Sequence, residues 1–242
     1  GLLNDVWRWS PRKCTLLPDM SDLEARRFGL QCLYECYDSP IYGQWQQLSN
    51  APWAARQETA AVWTATGVLV LGGRTAQGFK NDVWKWESYG EFCSLTWKGT
   101  WTELTPAAGW EPRHGASIIG FSPHGEDEWA VTTVLMIGGF GGYPYASEVI
   151  RAEPQEANDR VNPRNDMWCG YTDLDHFATW VEIAPLAPFS PRAQTAAVIA
   201  PSIGTFSLVF FGGYDENSRL VADLWRWSGE NNTFQCITDT LD

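Results

Sequence analysis

The chain is poor in positive charge. Its 242 residues include 17 lysines and arginines against 29 aspartates and glutamates, which gives a formal net charge of −12. A nucleic-acid-binding protein needs a basic surface, and an anionic membrane surface repels an acidic protein. No apolar run is long enough to cross a bilayer. We therefore expect neither nucleic-acid binding nor membrane insertion.

Histidine is also scarce, and no segment has a sustained helical period. The three histidines, His114, His124 and His176, fall in separate parts of the chain, so we do not expect them to converge on a metal. No Ser-His-Asp arrangement with interpretable spacing and no phosphate-binding glycine loop occurs. The sequence thus predicts no catalytic residue, no metal and no cofactor.

What the chain does contain is a pattern of four elements that recurs in order. The first is a small-residue run opened by an arginine: Arg56, Arg113 and Arg192. The second is an apolar run that ends in paired glycines: Gly72 and Gly73, Gly138 and Gly139, Gly212 and Gly213. The third is an aspartate, an aliphatic residue and a tryptophan, found four times: Asp5 to Trp7, Asp82 to Trp84, Asp166 to Trp168, Asp223 to Trp225. The fourth is an aromatic-x-x-aliphatic run: Trp45 to Leu48, Trp101 to Leu104, Trp180 to Ile183, Phe234 to Ile237.

These four elements, which we name a, b, c and d, have the length and composition of β-strands. Elements a and b are short and small or apolar, as buried strands are, whereas c and d alternate aromatic and polar residues, as half-buried strands do. Four antiparallel strands repeated along a chain form the blades of a propeller. The sequence therefore predicts an all-β fold.

The order of the motifs resembles the kelch repeat. The tryptophan-rich sequence of the c and d motifs is similar to galactose-oxidase central-domain repeats. The resemblance covers nearly the whole chain and implies a kelch-type β-propeller. The glycine pairs lie 66 residues apart from Gly72 to Gly138 and 74 apart from Gly138 to Gly212. Kelch repeats have a period of roughly 50, so we expect loop insertions.

The motifs divide the chain into about three and a half four-stranded blades, a partial ring. Residues 1–50 form a c–d half-blade with an insertion, residues 51–109 blade 1, residues 110–189 blade 2 with a long b–c loop, and residues 190–242 blade 3. Kelch-type rings have six or seven blades, by resemblance. We expect a fragment of a longer chain that supplies further blades in cis; a second chain that completes the ring and a natural open half-ring are the alternatives.

The repeated residues are interpreted as structural. A guanidinium at Arg56, Arg113 and Arg192 can satisfy loop carbonyls or carboxylates, and ligand binding is the alternative. The aspartate of each c motif is interpreted as a turn residue that accepts backbone N–H bonds. For Trp7, Trp84, Trp168 and Trp225 we favour packing between blades over a sugar-stacking surface.

The largest insertion, Phe140 to Arg164, lies between b and c of blade 2. Antiparallel strands place the b–c and d–a loops on one face and the a–b and c–d loops on the other. In kelch proteins partners often use the b–c side, by resemblance. Long insertions on a rigid scaffold often bind partners, and a solvated loop without a partner is the alternative. The predicted partner-binding residues are Phe140, Tyr143, Tyr145, Arg151 and Arg160.

The six cysteines lie in c–d segments, where loops and outer strands are expected: Cys14, Cys32, Cys36, Cys93, Cys169 and Cys236. An even number of cysteines outside the buried strands favours disulfides, and hence an extracellular or cell-surface location. The pairing is not determined by the sequence.

Taken together, the sequence predicts a non-enzymatic protein–protein interaction or scaffold module of a secreted or surface assembly. The alternative is a protein that binds a glycan or oxidises a sugar. The galactose-oxidase resemblance implies copper held by histidine and tyrosine, and the chain is poor in histidine.

Overall fold

The computed structural model describes residues 2–11, 43–64, 67–89, 98–121, 133–141, 163–173, 176–202, 205–215 and 217–238. All named elements in these residues are β-strands. The half-blade consists of β1 (Trp7–Pro11) and β2 (Gly43–Gln47). Within the described ranges no helix has the length and hydropathy needed to cross a bilayer.

The three blades contain the remaining strands. Blade 1 has β3 (Arg56–Gln57), β4 (Ala60–Thr64), β5 (Gly67–Thr75), β6 (Gly78–Tyr89) and β7 (Lys98–Thr105). Blade 2 has β8 (Arg113–His114), β9 (Ser117–Phe121), β10 (Thr133–Ile137), β11 (Phe140–Gly141), β12 (Met167–Asp173) and β13 (His176–Ala184). Blade 3 has β14 (Ala196–Ser202), β15 (Thr205–Phe211), β16 (Leu224–Ser228) and β17 (Thr233–Cys236).

The long strands of each blade form a four-stranded sheet in which the strands follow chain order. The orders are β4-β5-β6-β7, β9-β10-β12-β13 and β14-β15-β16-β17. The short strand β3 pairs with β5, and the short strands β8 and β11 of blade 2 join the sheet of blade 1 through β6. The register is the same in all three. The residue before each glycine pair lies opposite the residue after the c aspartate: Leu71 with Val83, Ile137 with Met167, Phe211 with Leu224. The predicted all-β fold with four-stranded blades is confirmed: the chain is a partial β-propeller.

The apolar core lies between neighbouring blades because strands b present alternate residues to opposite sides. In blade 2, Val134 and Met136 belong to the core shared with blade 1, whereas Leu135 and Ile137 belong to the core shared with blade 3. The inner strands β4, β9 and β14 lie beside one another. Blades 1 to 3 are therefore packed face to face through the side chains of their b strands.

By its internal contacts the chain divides into two compact units. The first comprises Gly1–Leu2, Ala55–Trp86 and Thr102–Asp242, and the second comprises Leu3–Ala54 and Glu87–Trp101. In the second unit β1 pairs with β2, and the Trp53 and Trp101 rings meet edge to face with their centroids 4.5 Å apart. The site described below lies in the first unit.

Candidate functional site at the b–c and d–a ends of the blades

The arginine that opens blade 1 binds the aspartate of the c motif in the same blade. Arg56 Nη1 donates to Asp82 Oδ1 at 2.8 Å, and Arg56 Nη2 donates to Asp82 Oδ2 at 2.9 Å. Arg56 Nη1 also donates to the carbonyl of Gly72 at 2.9 Å, and the Trp84 indole donates to Asp82 Oδ2 at 2.9 Å. Arg56 and Asp82 are both buried. A bidentate, charge-assisted pair of this kind fixes the ends of strands a, b and c relative to one another.

Blade 2 repeats this cluster of arginine, glycine, aspartate and tryptophan. Arg113 donates to both carboxylate oxygens of Asp166 at 2.7 Å and to the carbonyl of Gly138 at 2.9 Å. The Trp168 indole donates to Asp166 at 2.8 Å. In blades 1 and 2 the c aspartate therefore accepts hydrogen bonds from a guanidinium and an indole, whereas the sequence suggested a turn residue bound to backbone N–H groups.

Blade 3 contains the third copy. Arg192 donates to Asp223 through Nη1 and, at 2.8 Å, through Nη2, and Trp225 donates to the same carboxylate at 2.7 Å. Burial raises the pKa of Asp223, but the hydrogen bonds from Arg192 and Trp225 and the guanidinium charge lower it by more, so the net pKa lies below the ordinary value. Asp223 is therefore held as a carboxylate.

The paired glycines allow the next blade to approach. Gly138 has φ +56°, and a Cβ built there would lie 2.5 Å from the carbonyl oxygen of Arg192. The N–H of Gly139 donates to that same carbonyl at 2.9 Å. Any side chain at Gly138 would displace the arginine of blade 3, so the pair serves both backbone conformation and packing between blades.

The asparagine of each c motif binds the connection into the next blade. Asn81 Nδ2 donates to the carbonyls of Ala108 and Trp110, each at 3.0 Å. Asn165 Nδ2 donates in the same way to Ala187 at 2.8 Å and to Phe189 at 3.3 Å. The d–a connections at this face are thus fixed by side-chain hydrogen bonds, which sequence reasoning did not anticipate.

An open depression of about 370 Å³ lies where the inner strands begin. It is lined by Glu58, Thr59, Gly115, Ala116, Ser117, Ile118, Gln194, Thr195 and Ala197. Three of these residues stand at the same offset after the repeat arginine and share a left-handed backbone: Glu58 at φ +54°, Gly115 at +62° and Gln194 at +57°. The Gly115 N–H donates to the Glu58 carbonyl at 3.0 Å, and the Gln194 N–H donates to the Gly115 carbonyl at 2.8 Å. These two bonds join three blades around the depression.

Glu58 is the charged side chain that lines the depression. His114 Nδ1 lies 2.6 Å from Glu58 Oε2, and Gln194 Nε2 lies 3.5 Å from the same oxygen. His114 is buried, and its ring lies 4.8 Å from that of Phe79 and 5.6 Å from that of Phe140. The sequence analysis considered His114 only as one of three separated histidines, and it did not single out Glu58. The available signal was the shared offset of Glu58 and Gln194 after the arginine.

The insertion of blade 2 enters and leaves at this face. Phe140 forms a bridge with Pro163, and the Arg164 N–H donates to the Gly139 carbonyl at 2.8 Å. Phe140 is only 2% exposed and packs against His114, so its side chain anchors the insertion instead of facing a partner. The other predicted partner-binding residues, Tyr143, Tyr145, Arg151 and Arg160, lie outside the described residues.

Cysteines and histidines add no further cluster in the described part of the chain. Cys169 and Cys236 are free thiols, and burial raises the pKa of Cys169. The other four cysteines, His124 and the side chain of His176 lie outside what the structure describes. Within the described residues, no group of three or more histidines, cysteines, aspartates or glutamates is arranged to hold a metal ion.

No protein-family model matches the chain, and no curated protein matches it. Solved structures do match. One, titled "Structure of YjhT", is 17% identical with a TM-score of 0.47, and the match covers 80% of this chain and 48% of that chain. The chain thus spans about half the length of that structure. A likeness of this size carries no argument about function, and folds of this kind host many functions.

Proposed function

We propose that this chain is part of a kelch-like propeller that acts as a non-enzymatic interaction module in a secreted or cell-surface assembly. A β-propeller-like fold suggests a binding or scaffold module, because rigid blades hold their connecting loops at fixed positions. On this proposal the blades position the b–c and d–a loops, and the insertion between Phe140 and Arg164 contacts a protein partner.

The observation that carries the proposal is the way in which the insertion is anchored. Its two ends are bonded to each other through Phe140 and Pro163, and the Arg192 N–H donates to the Arg164 carbonyl at 3.0 Å. Both ends of residues 142–162 are therefore fixed to blades 2 and 3. An anchored insertion loses less freedom on binding than one with loose ends, and this favours recognition.

The repeat arginines support a scaffold over a ligand site. Arg56, Arg113 and Arg192 are buried, and each donates both terminal nitrogens to an aspartate of its own blade. A guanidinium that binds an incoming carboxylate would first have to give up this pairing, which is costly in a buried site. The charged repeat residues therefore hold the blades, and binding is left to the loops.

The test is site-specific photo-crosslinking in the extracellular fraction of the source organism. A photoreactive residue at Tyr143 or Tyr145 should give a discrete protein adduct, and the same residue at Tyr171 should give none. Tyr171 is a suitable control because it is 40% exposed but lies at the c–d end of blade 2, on the opposite face. Adducts of equal yield at all three positions would contradict the proposal.

The rival function is checked at the same two positions. Binding to a glycan array that disappears in Tyr143→Ala and Tyr145→Ala, without a protein adduct, would replace the proposed partner by a carbohydrate. Hydrogen peroxide production from a sugar by the copper-loaded chain would overturn the non-enzymatic proposal.

The extracellular location is tested by thiol labelling of the native protein. Alkylation of the unreduced protein in denaturant should modify Cys169 and Cys236, and the other four cysteines should become reactive only after reduction. Mass spectrometry that finds all six cysteines labelled before reduction would contradict a secreted, disulfide-bonded protein.

A further inference from the structure

The hairpin that joins β16 and β17 of blade 3 contains a glycosylation sequon. Residues 229–232 form its turn, and Asn231-Asn232-Thr233 has the pattern Asn-x-Thr with a middle residue that is not proline. No other Asn-x-Ser or Asn-x-Thr triplet occurs in the sequence. Oligosaccharyltransferases recognise this pattern in proteins of the secretory pathway. Since sequons also occur by chance, the contacts of these three residues determine whether a glycan fits.

The middle residue of the sequon fixes the turn. Asn232 has a left-handed backbone with φ +51°. Its Oδ1 accepts a hydrogen bond from the Trp227 indole at 2.8 Å, and its Nδ2 donates to the carbonyl of Ile183 in blade 2 at 3.0 Å. Both ends of this amide are therefore used within the fold, where they connect the hairpin to a buried tryptophan and to the neighbouring blade.

The first residue of the sequon has no such role in the fold. Residues 230–233 are all exposed, and Thr233 Oγ1 donates to Asn231 Oδ1 at 2.6 Å. Within the described residues Asn231 Nδ2, the atom that receives a glycan, donates to no protein acceptor. A sugar attached to Nδ2 therefore displaces no hydrogen bond between described residues, and the turn keeps the contacts that Asn232 makes.

The hairpin also lies away from the proposed binding surface. It is a c–d connection, between β16 (Leu224–Ser228) and β17 (Thr233–Cys236), whereas the insertion enters and leaves through a b–c connection on the opposite face. An attached glycan is bulky and well hydrated. At Asn231 it would keep the c–d end of blade 3 in solvent and leave the b–c face open.

We propose that Asn231 is an N-glycosylation site. The inference rests on the secreted or cell-surface location given under the proposed function, because the transferase acts in the secretory pathway. The donor is an oligosaccharide carried on a lipid diphosphate. Asn231 Nδ2 attacks the anomeric carbon of the first sugar, and the bond from that carbon to the diphosphate oxygen breaks. The lipid diphosphate leaves, and Nδ2 gives up one proton to a base of the transferase.

The experiment secretes the 242-residue chain from cultured mammalian cells behind a cleavable signal peptide. Peptide-N-glycosidase in heavy-oxygen water then converts each glycosylated asparagine to a labelled aspartate, which peptide mass spectrometry locates. We expect one glycan, at Asn231, on most of the secreted chain. Asn231→Gln and Thr233→Val should each abolish it, whereas Thr233→Ser should retain it because the hydroxyl remains. Cells and medium are both analysed, so a variant that fails to fold is still scored.

Asn232→Ala is the matched control because it changes the same turn and leaves the sequon intact. It should keep the glycan but lower the midpoint of urea denaturation, since it removes the hydrogen bonds to Trp227 and Ile183. Enzymatic removal of the glycan from the wild type should shift that midpoint by less than Asn232→Ala does.

The outcomes separate the site from the location. A secreted chain without a glycan at Asn231 would overturn the inference and leave the proposed location standing. Protein from the source organism that has disulfide-bonded cysteines but an unmodified Asn231 would do the same. If instead all six of its cysteines are free and Asn231 is unmodified, both the inference and the proposed location are wrong.

Discussion

At the scale of single residues, the molecule depends on a small set of side chains that repeat in every blade. An arginine, an aspartate and a tryptophan meet at the end of each sheet, and a glycine leaves room for the arginine of the next blade. The sequence showed that these residues recur, and it suggested that they are structural. It did not show which residues bind each other, because Arg113 and Asp166 are 53 positions apart.

Removing one member of a buried arginine–aspartate pair should strongly destabilise the folded protein. We expect Arg113→Ala to lower the free energy of unfolding by about 3–5 kcal/mol, because the carboxylate of Asp166 loses its cation in a buried site. Urea denaturation followed by tryptophan fluorescence measures the loss. Arg219→Ala, at an exposed position, should change stability by less than about 0.5 kcal/mol. Equal losses in the two variants would show that the pair is dispensable.

The glycines offer a comparison at equivalent positions. Gly138→Ala places a methyl group 2.5 Å from the carbonyl oxygen of Arg192, whereas at Gly212 the nearest atom among the described residues, the carbonyl oxygen of Val221, is 3.6 Å away. Both have positive φ, so the backbone strain is shared. Gly138→Ala should therefore destabilise by about 1–3 kcal/mol more than Gly212→Ala. Thermal unfolding of the two variants gives the difference in stability. A difference near zero would mean that blades 2 and 3 can move apart at this point without loss of stability.

The charge of Asp223 predicts the response to acid. Since hydrogen bonds from Arg192 and Trp225 hold its pKa below the ordinary value, the carboxylate stabilises the folded state above the unfolded pKa of about 4. That contribution is lost as the pH falls through the lower, folded pKa. The stability gap between wild type and Asp223→Asn should thus be full at pH 6 and shrink below pH 4. Chemical denaturation across this range tests it, with the exposed Glu230→Gln as control.

At the scale of elements, the strands follow the sequence pattern and the connections determine how blades join. The motifs of strands b, c and d overlap the observed strands, with some motif residues directly before or after a strand. The d–a connections contribute more to the packing between blades than the sequence analysis predicted. Trp110 and Phe189 occupy equivalent places three residues before the arginine, and both are fully buried between blades. No strand pattern marks these positions, because the connections lie outside the repeating strands.

The connection into blade 3 can be tested directly. The Phe189 ring packs against Phe210 with centroids 4.9 Å apart, and the guanidinium of Arg192 lies 5.6 Å from its centroid. Phe189→Ala should cost about 3–5 kcal/mol because it opens a cavity between the sheets. Leu186→Ala, in the same connection but 81% exposed, should have little effect. A small loss at Phe189, measured by urea denaturation, would contradict the packing described.

At the scale of the whole molecule, equivalent residues differ according to whether another blade covers them. The residue before the glycine pair is 2% exposed in blade 1 (Leu71), 1% in blade 2 (Ile137) and 49% in blade 3 (Phe211). In blades 1 and 2 this residue belongs to the core shared with the following blade. The same sequence position therefore has a different energetic role in blade 3.

Truncation at these positions should reveal that difference. Ile137→Ala should lower the free energy of unfolding by about 2–5 kcal/mol. Phe211→Ala removes a larger side chain but should cost less than about 1.5 kcal/mol, because half of it is already in water. Denaturation of the 242-residue chain measures both. A loss at Phe211 as large as that at Ile137 would mean that another surface covers this residue in solution.

The sequence by itself determined the strands and their order, because both depend on local patterns of apolar residues, glycines and tryptophans. Only the tertiary structure decided which repeated residues bind each other. It also brought Glu58 of blade 1 to His114 of blade 2, and it buried Phe140 although the sequence placed it on a binding surface. These outcomes depend on contacts between neighbouring blades, and the residues that make such contacts lie far apart along the chain. A local sequence pattern carries no information about them.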